Sequence, residues 1–194
     1  MYKSTLSLHD KNGQRKYLNE VERKQFYECT KNYPDRIRLF CQLLFFTGAR
    51  IAEIHNLNVE NIDFSNKSVV IETLKKRKRG VYREIPLPEF LLEKLKIYIE
   101  HRNKENTNTT QLWDYSLRTA SRNVKSILQE AGVTGVRSSS KSLRHGYAVV
   151  SVKKLVPLNL IQKYLGHASI ETSSIYLNIL GEEEREIVRK IWMV

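Results

Sequence analysis

"KSVVIETLKKRKRGVYREIPLP", residues 67–88, is the stretch where the hydrophobic pattern of this chain changes period. Runs rich in Val, Ile and Tyr flank the basic turn RKRG at 77–80, which reads as a β-hairpin, with a short third strand near 61–64. On both sides of it the spacing is helical. Asn19 followed by Glu22 predicts an N-cap for a helix through Thr30. Pro34 opens a second helix, whose apolar positions Ile37, Phe40, Cys41, Leu44 and Phe45 lead to a closing Gly48. A third helix is predicted over 49–57, and others over 88–101, 115–131, 141–152 and 157–165, the last closed by Gly166. The stretch NKENTNTT, 103–110, reads as an exposed loop. The fold class is therefore mostly α with a small antiparallel β-sheet, an α+β domain.

With 194 residues, 41% of them hydrophobic and 28% charged, the chain has material for one well-filled core. Residues 1–17 are polar and basic, with a turn signal at 10–13, and read as a flexible arm ahead of a domain over 18–180. The tail EEEREIVRKIWMV reads as a last amphipathic helix, 181–194. The 33 Lys and Arg against 21 Asp and Glu give a net charge of +12, an excess that favours a polyanionic partner, nucleic acid ahead of a membrane surface. No apolar run approaches the roughly 20 residues that span a bilayer. Cys29 and Cys41 sit in apolar helical patterns and read as reduced core residues of a cytoplasmic protein. The histidines are too scattered for a metal cluster, so neither metal nor other cofactor is expected.

Four stretches carry chemical potential, and each alone has an ordinary reading. Arg50 and Glu53 in TGARIAEI share a helix face as a helix-start ion pair would. The lysines and arginines of the hairpin turn suit a solvated tip, Lys141 and Arg144 in KSLRHG suit a solvated face, and Tyr176 suits a packed position. Taken in order, however, TGARIAEI, the hairpin KRGVYREIPL, KSLRHG, and LGH with a tyrosine nine residues after its histidine resemble the tyrosine recombinase, or phage integrase, family over 18–180.

That resemblance implies a catalytic domain of the DNA breaking-and-rejoining type. It implies Arg50 and Arg144 as the two active-site arginines, His167 at the position that holds the scissile phosphate, and Tyr176 as the nucleophile. It implies Lys78 as the hairpin lysine, eight positions before Pro86, with Lys75 and Lys76 as alternatives because hairpin turns change length. Lys141 stands where the family usually has histidine, which leaves the identity of the base toward Tyr176 open. Glu53 is expected as a scaffold for the active-site groups. His145 lies about 100 degrees around the helix from Arg144 and is read as structural. The chemistry suits these types. A phenol can form a phosphotyrosine ester that conserves the bond energy, and guanidinium forks match non-bridging phosphate oxygens. A lysine can yield a proton to a leaving 5′-oxygen.

Double-stranded DNA sites are thus the expected partner, engaged by a multimer, a tetramer on paired sites. Arg77 and Arg79 of the hairpin, with Lys75 and Lys76, are candidate DNA contacts, as are Arg118, Arg122 and Lys125 at helical spacing. The short N-terminal segment resembles that of stand-alone invertases of the fimbrial type, and a piece of a longer integrase would read the same. Two alternatives accompany this reading: a type IB topoisomerase-like relaxer, and a catalytically weak architectural DNA-binding protein.

Overall fold

The structure is a computed structural model, and it describes residues 8–74, 80–104 and 109–177. The hairpin turn carrying Lys75, Lys76, Arg77, Lys78 and Arg79, residues 105–108 of the expected loop, and the tail 178–194 lie outside the described residues.

Helix α1 (Glu20–Thr30) begins where the sequence predicts. Asn19 Oδ1 accepts from the Glu22 amide at 2.8 Å, and Glu22 reaches back to the Asn19 amide at 2.9 Å, a capping box that satisfies two otherwise orphaned donors. Helix α2 (Asp35–Thr47) buries Leu39, Phe40, Leu43 and Leu44 and stops at Gly48, which adopts φ 62°. Glycine is required there twice over: its φ is left-handed, and a Cβ would stand 2.4 Å from the ring of Tyr147. The stop lets the chain turn at once into the short helix α3 (Ile51–His55), with Arg50 at its N-cap.

Strands β1 (Ile62–Asp63), β2 (Ser68–Glu72) and β3 (Tyr82–Pro86) form one antiparallel sheet in that order. Its register pairs Val69 with Ile85 and Ile71 with Arg83, so a guanidinium shares the inward face with aliphatic side chains. Helices α4 (Glu89–Lys104), α5 (Leu117–Glu130), α6 (Ser140–Lys153), α7 (Leu158–Leu165) and the single turn α8 (Glu171–Ser174) follow. The main core gathers side chains of α1 to α5 and the sheet around Trp113, whose indole N–H donates to the Ile54 carbonyl at 2.7 Å. A second, smaller cluster joins Ala148, Val149 and Val152 of α6 to Ile161 and Leu165 of α7 and to Tyr176.

That cluster also contains Leu8, and this changes the reading of the N-terminal stretch. Residues 8–17 do not run as a loose polar arm. Asp10 accepts from the Asn12 and Gln14 amides, both at 2.8 Å, and the Lys16 amide closes on the Leu8 carbonyl at 2.8 Å. The turn signal at 10–13 is real, and its consequence is to return Leu8 to the apolar cluster that also holds Tyr176. Among the described residues no helix is long and apolar enough to cross a membrane.

Candidate active site

The N-terminus of α3 and the start of α6 bring two arginines to one cavity. Arg144 is buried, and its two terminal nitrogens donate to the Gly48 carbonyl at 2.9 Å and the Leu165 carbonyl at 2.6 Å. It thereby ties the end of α2 to the end of α7, since both carbonyls belong to helix termini that lack intrahelical partners. Burial, and next to it the neighbouring Arg50 cation, lower its pKa to about 10. Arg50 is more open, with 38% of its side chain exposed, and donates to Glu53 Oε1 at 2.7 Å.

Glu53 is wholly buried and has three charge-assisted partners. Besides the Arg50 side chain it accepts from the Arg50 amide at 2.9 Å and from Arg83 at 2.6 Å. Burial alone would raise its carboxyl pKa, but the Arg83 charge and these hydrogen bonds outweigh that and hold it below the ordinary value. Arg83 in turn donates to Thr73 Oγ1 at 2.9 Å and to the Tyr164 carbonyl at 2.8 Å, joining β3 to the end of α7. Gly166 follows at φ 62°, and a Cβ there would meet the Arg83 guanidinium at 3.1 Å.

The αL residue Gly166 turns the chain so that His167 leaves the helix toward the cavity, its Nδ1 2.8 Å from Ser173 Oγ. The His167 ring lies nearly parallel to that of Tyr176, 11° between planes and 6.3 Å between centroids. Tyr176 is 1% exposed, and its hydroxyl lies 2.9 Å from His145 Nδ1. Burial raises the Tyr176 pKa to about 12, opposed by Arg144 and Arg50. Burial, then Lys141, Arg144 and Lys16, lower that of His145 to about 4.

Arg50, Lys141, Arg144, His145, His167 and Tyr176 line a cavity of about 370 Å³, and His167 also borders a groove of about 500 Å³ between β3 and α7. Two guanidinium groups facing one cavity, with a single carboxylate fixed behind them, make a receptor for an oxyanion. A phenol and an imidazole on its wall add a nucleophile and a proton carrier. Arg118, Arg122 and Lys125 stand exposed along α5 and do not line this cavity. Two side chains of the site have no site role in the sequence reading. The His145 imidazole, read as structural, is turned to the tyrosine, because the chain after α8 brings the Tyr176 hydroxyl within 2.9 Å of its Nδ1. Arg83 could have been found from strand alternation, which puts it on the same face as the buried Ile85. Among the described residues no group of three or more His, Cys, Asp or Glu could hold a metal ion.

Residues 16–183 match the phage integrase family. The tyrosine recombinase XerA of Pyrococcus furiosus is 32% identical over 190 residues, covering 90% of this chain and 61% of that protein. XerH of Campylobacter jejuni is 30% identical over 84% of this chain and 45% of its own length. The chain spans less than two thirds of the length of either. A crystal structure of XerA recombinase superposes with a TM-score of 0.77 at 24% identity, over 90% of this chain and 64% of that one. XerH in a post-cleavage complex with a palindromic difH substrate superposes at 0.77 and 25% identity, over 100% of this chain and 58% of that one. The catalytic domain of bacteriophage HP1 integrase shares the fold at a TM-score of 0.64 and 16% identity, over 89% and 93% of the two chains. By the extent of the sequence match and by its fold, the chain belongs to the phage integrase family, the tyrosine recombinases.

Proposed function

We propose that this chain carries the catalytic site of a site-specific DNA recombinase that cuts and rejoins DNA through a covalent 3′-phosphotyrosine at Tyr176. The observation that supports it is the lining of one cavity by the tyrosine and by two guanidinium groups, Arg50 and Arg144. A phosphodiester entering there meets forks that match its non-bridging oxygens, with His167 as a further donor. The Tyr176 oxygen attacks phosphorus, the bond to the 5′-oxygen breaks, and that oxygen takes a proton, a role we assign to Lys78. The ester retains the energy of the broken bond, so rejoining reverses the same step with no ATP or metal. Lys141 is a phosphate contact on this reading, and Glu53 the scaffold that orients Arg50. Arg118, Arg122 and Lys125, with the hairpin cations, hold flanking phosphates. A crystal structure of XerH bound to its difH substrate concerns a similar protein and supports DNA as the partner, to which this reading adds paired sites and a multimer.

The test is incubation with a nicked duplex from which the cut end diffuses away, followed by a denaturing gel. A protein–DNA band that survives denaturation is expected, and crossover products should form on DNA with two sites. Relaxation of supercoils without crossover would instead make the chain a type IB-like relaxer. Binding without any covalent band would make it an architectural protein.

A further inference from the structure

A phenol whose pKa is pushed up to about 12 needs somewhere to put its proton before it can attack. Of the groups lining the cavity, Arg50 and Arg144 have no lone pair, nor has Lys141 while protonated. His167 presents its ring face to the ring of Tyr176, and its Nδ1 is already 2.8 Å from Ser173 Oγ. His145 alone of these has a ring nitrogen at hydrogen-bond distance from the tyrosine hydroxyl, 2.9 Å.

We propose that His145 is a catalytic residue, the proton acceptor for Tyr176. As the Oη–phosphorus bond forms, the hydroxyl proton passes to Nδ1, and it returns to the oxygen when the DNA end displaces the tyrosine on rejoining. The inference rests on Tyr176 as the nucleophile. It assigns the base, a role that the substitution of Lys141 for the family's usual histidine leaves open.

The surroundings fit the role. Burial first, then Lys141 and Arg144 of α6 and Lys16 of the N-terminal turn, keep the His145 imidazole uncharged at neutral pH, so its lone pair is available. Imidazolium beside those three cations is costly in the empty site. A phosphate seated between Arg50 and Arg144 brings a negative charge that offsets them, so the proton moves most readily when substrate is present. Leu8, buried in the same cluster as Tyr176, anchors the turn that carries Lys16.

The experiment follows single-turnover cleavage of the nicked duplex against pH for the full chain and for His145→Gln and His145→Ala. DNA binding and thermal melting are measured alongside. Above neutrality the wild-type rate should change far less with pH than that of the variants, because burial and the neighbouring cations hold the acceptor uncharged there. The variants should bind DNA normally, cleave about 100-fold to 10,000-fold more slowly near pH 7, and gain about tenfold per pH unit as hydroxide replaces the lost base. Replacing Tyr176 by a fluorinated tyrosine of lower pKa should restore much of the variants' rate. Equal or faster cleavage by His145→Gln, or a level pH profile in both variants, overturns the proposal, and faster cleavage would make His145 a restraint on the tyrosine. Should the variants fail to fold, fluorotyrosine in the otherwise intact chain decides: a rate that climbs along the phenol's own ionisation contradicts transfer to His145. A wild-type chain that forms no covalent complex refutes the nucleophile itself, an outcome distinct from all of these.

Discussion

The two halves of the site are held by different parts of the molecule. The anion-binding half rests chiefly on the main core: Arg50 heads α3, Glu53 and Arg83 are buried behind it, and Arg144 of α6 ties that core to the smaller cluster through the carbonyls of Gly48 and Leu165. The half that carries Tyr176, the proposed nucleophile, follows the one-turn helix α8 and packs in a seven-residue buried cluster that includes Leu8 of the N-terminal turn. Charge recognition gains from a fixed receptor, since donors already aimed at the developing charge need no reorganisation. On the proposed reading the tyrosine must reach phosphorus, bond to it and later be released, and such a group gains from a mounting of lower local stability.

The comparison breaks most readily at Arg83. Replacing it by Met leaves the Glu53 carboxylate buried with one partner fewer, and the melting free energy should fall by about 3–5 kcal/mol. The pH dependence should also change sign. In the wild type the Glu53 pKa lies below its ordinary value, so its stabilising contribution is present above that value and is lost as pH falls through the folded pKa. In Arg83→Met burial dominates, the pKa rises, and mild acid should narrow the stability gap to the wild type. An unchanged melting profile would show that the anion-binding half does not depend on its buried charges.

Next in size are the arginines. Arg50→Lys and Arg144→Lys should each slow cleavage about a hundredfold or more, roughly 3 kcal/mol of barrier. Only Arg144→Lys should also lower the melting temperature, because only Arg144 ties two helix ends together. Equal melting of the two variants would remove that distinction. A smaller effect separates the two cores. Ile161→Val, in the minor cluster, should cost about 1 kcal/mol and speed hydrogen exchange around 171–176. Ile54→Val, in the main core, should cost a similar amount without that local signature. The smallest expected effect is at Arg118, where Arg118→Gln should reduce the log–log salt slope of DNA binding by about 0.9 and leave the cleavage rate at saturating DNA unchanged.

Local chemistry made most of the fold legible in the sequence. The Asn19–Glu22 box, the left-handed glycines at 48 and 166 and the β-branched hairpin each act within a few residues, and each appears where its pattern stands. What was not legible depends on distant segments meeting. His145 lies 31 positions from Tyr176, and a helical wheel for α6 says nothing of what the chain after α8 brings against it. The burial of Leu8 has the same origin, because the composition of 1–17 is polar while one apolar side chain decides where the stretch lies. Arg83 was within reach, since a cation in phase with Ile71 and Ile85 is a strand position that needs a buried partner.

The most direct test of the central claim is to map the covalent bond. The protein–DNA complex trapped on the nicked duplex is digested with nuclease and protease, and the nucleotide-bearing peptide is sequenced by mass spectrometry. A nucleotide joined through its 3′-phosphate to the oxygen of Tyr176 is expected, and no adduct in Tyr176→Phe despite normal DNA binding. An adduct on Tyr164, or one that persists in Tyr176→Phe, would contradict the claim.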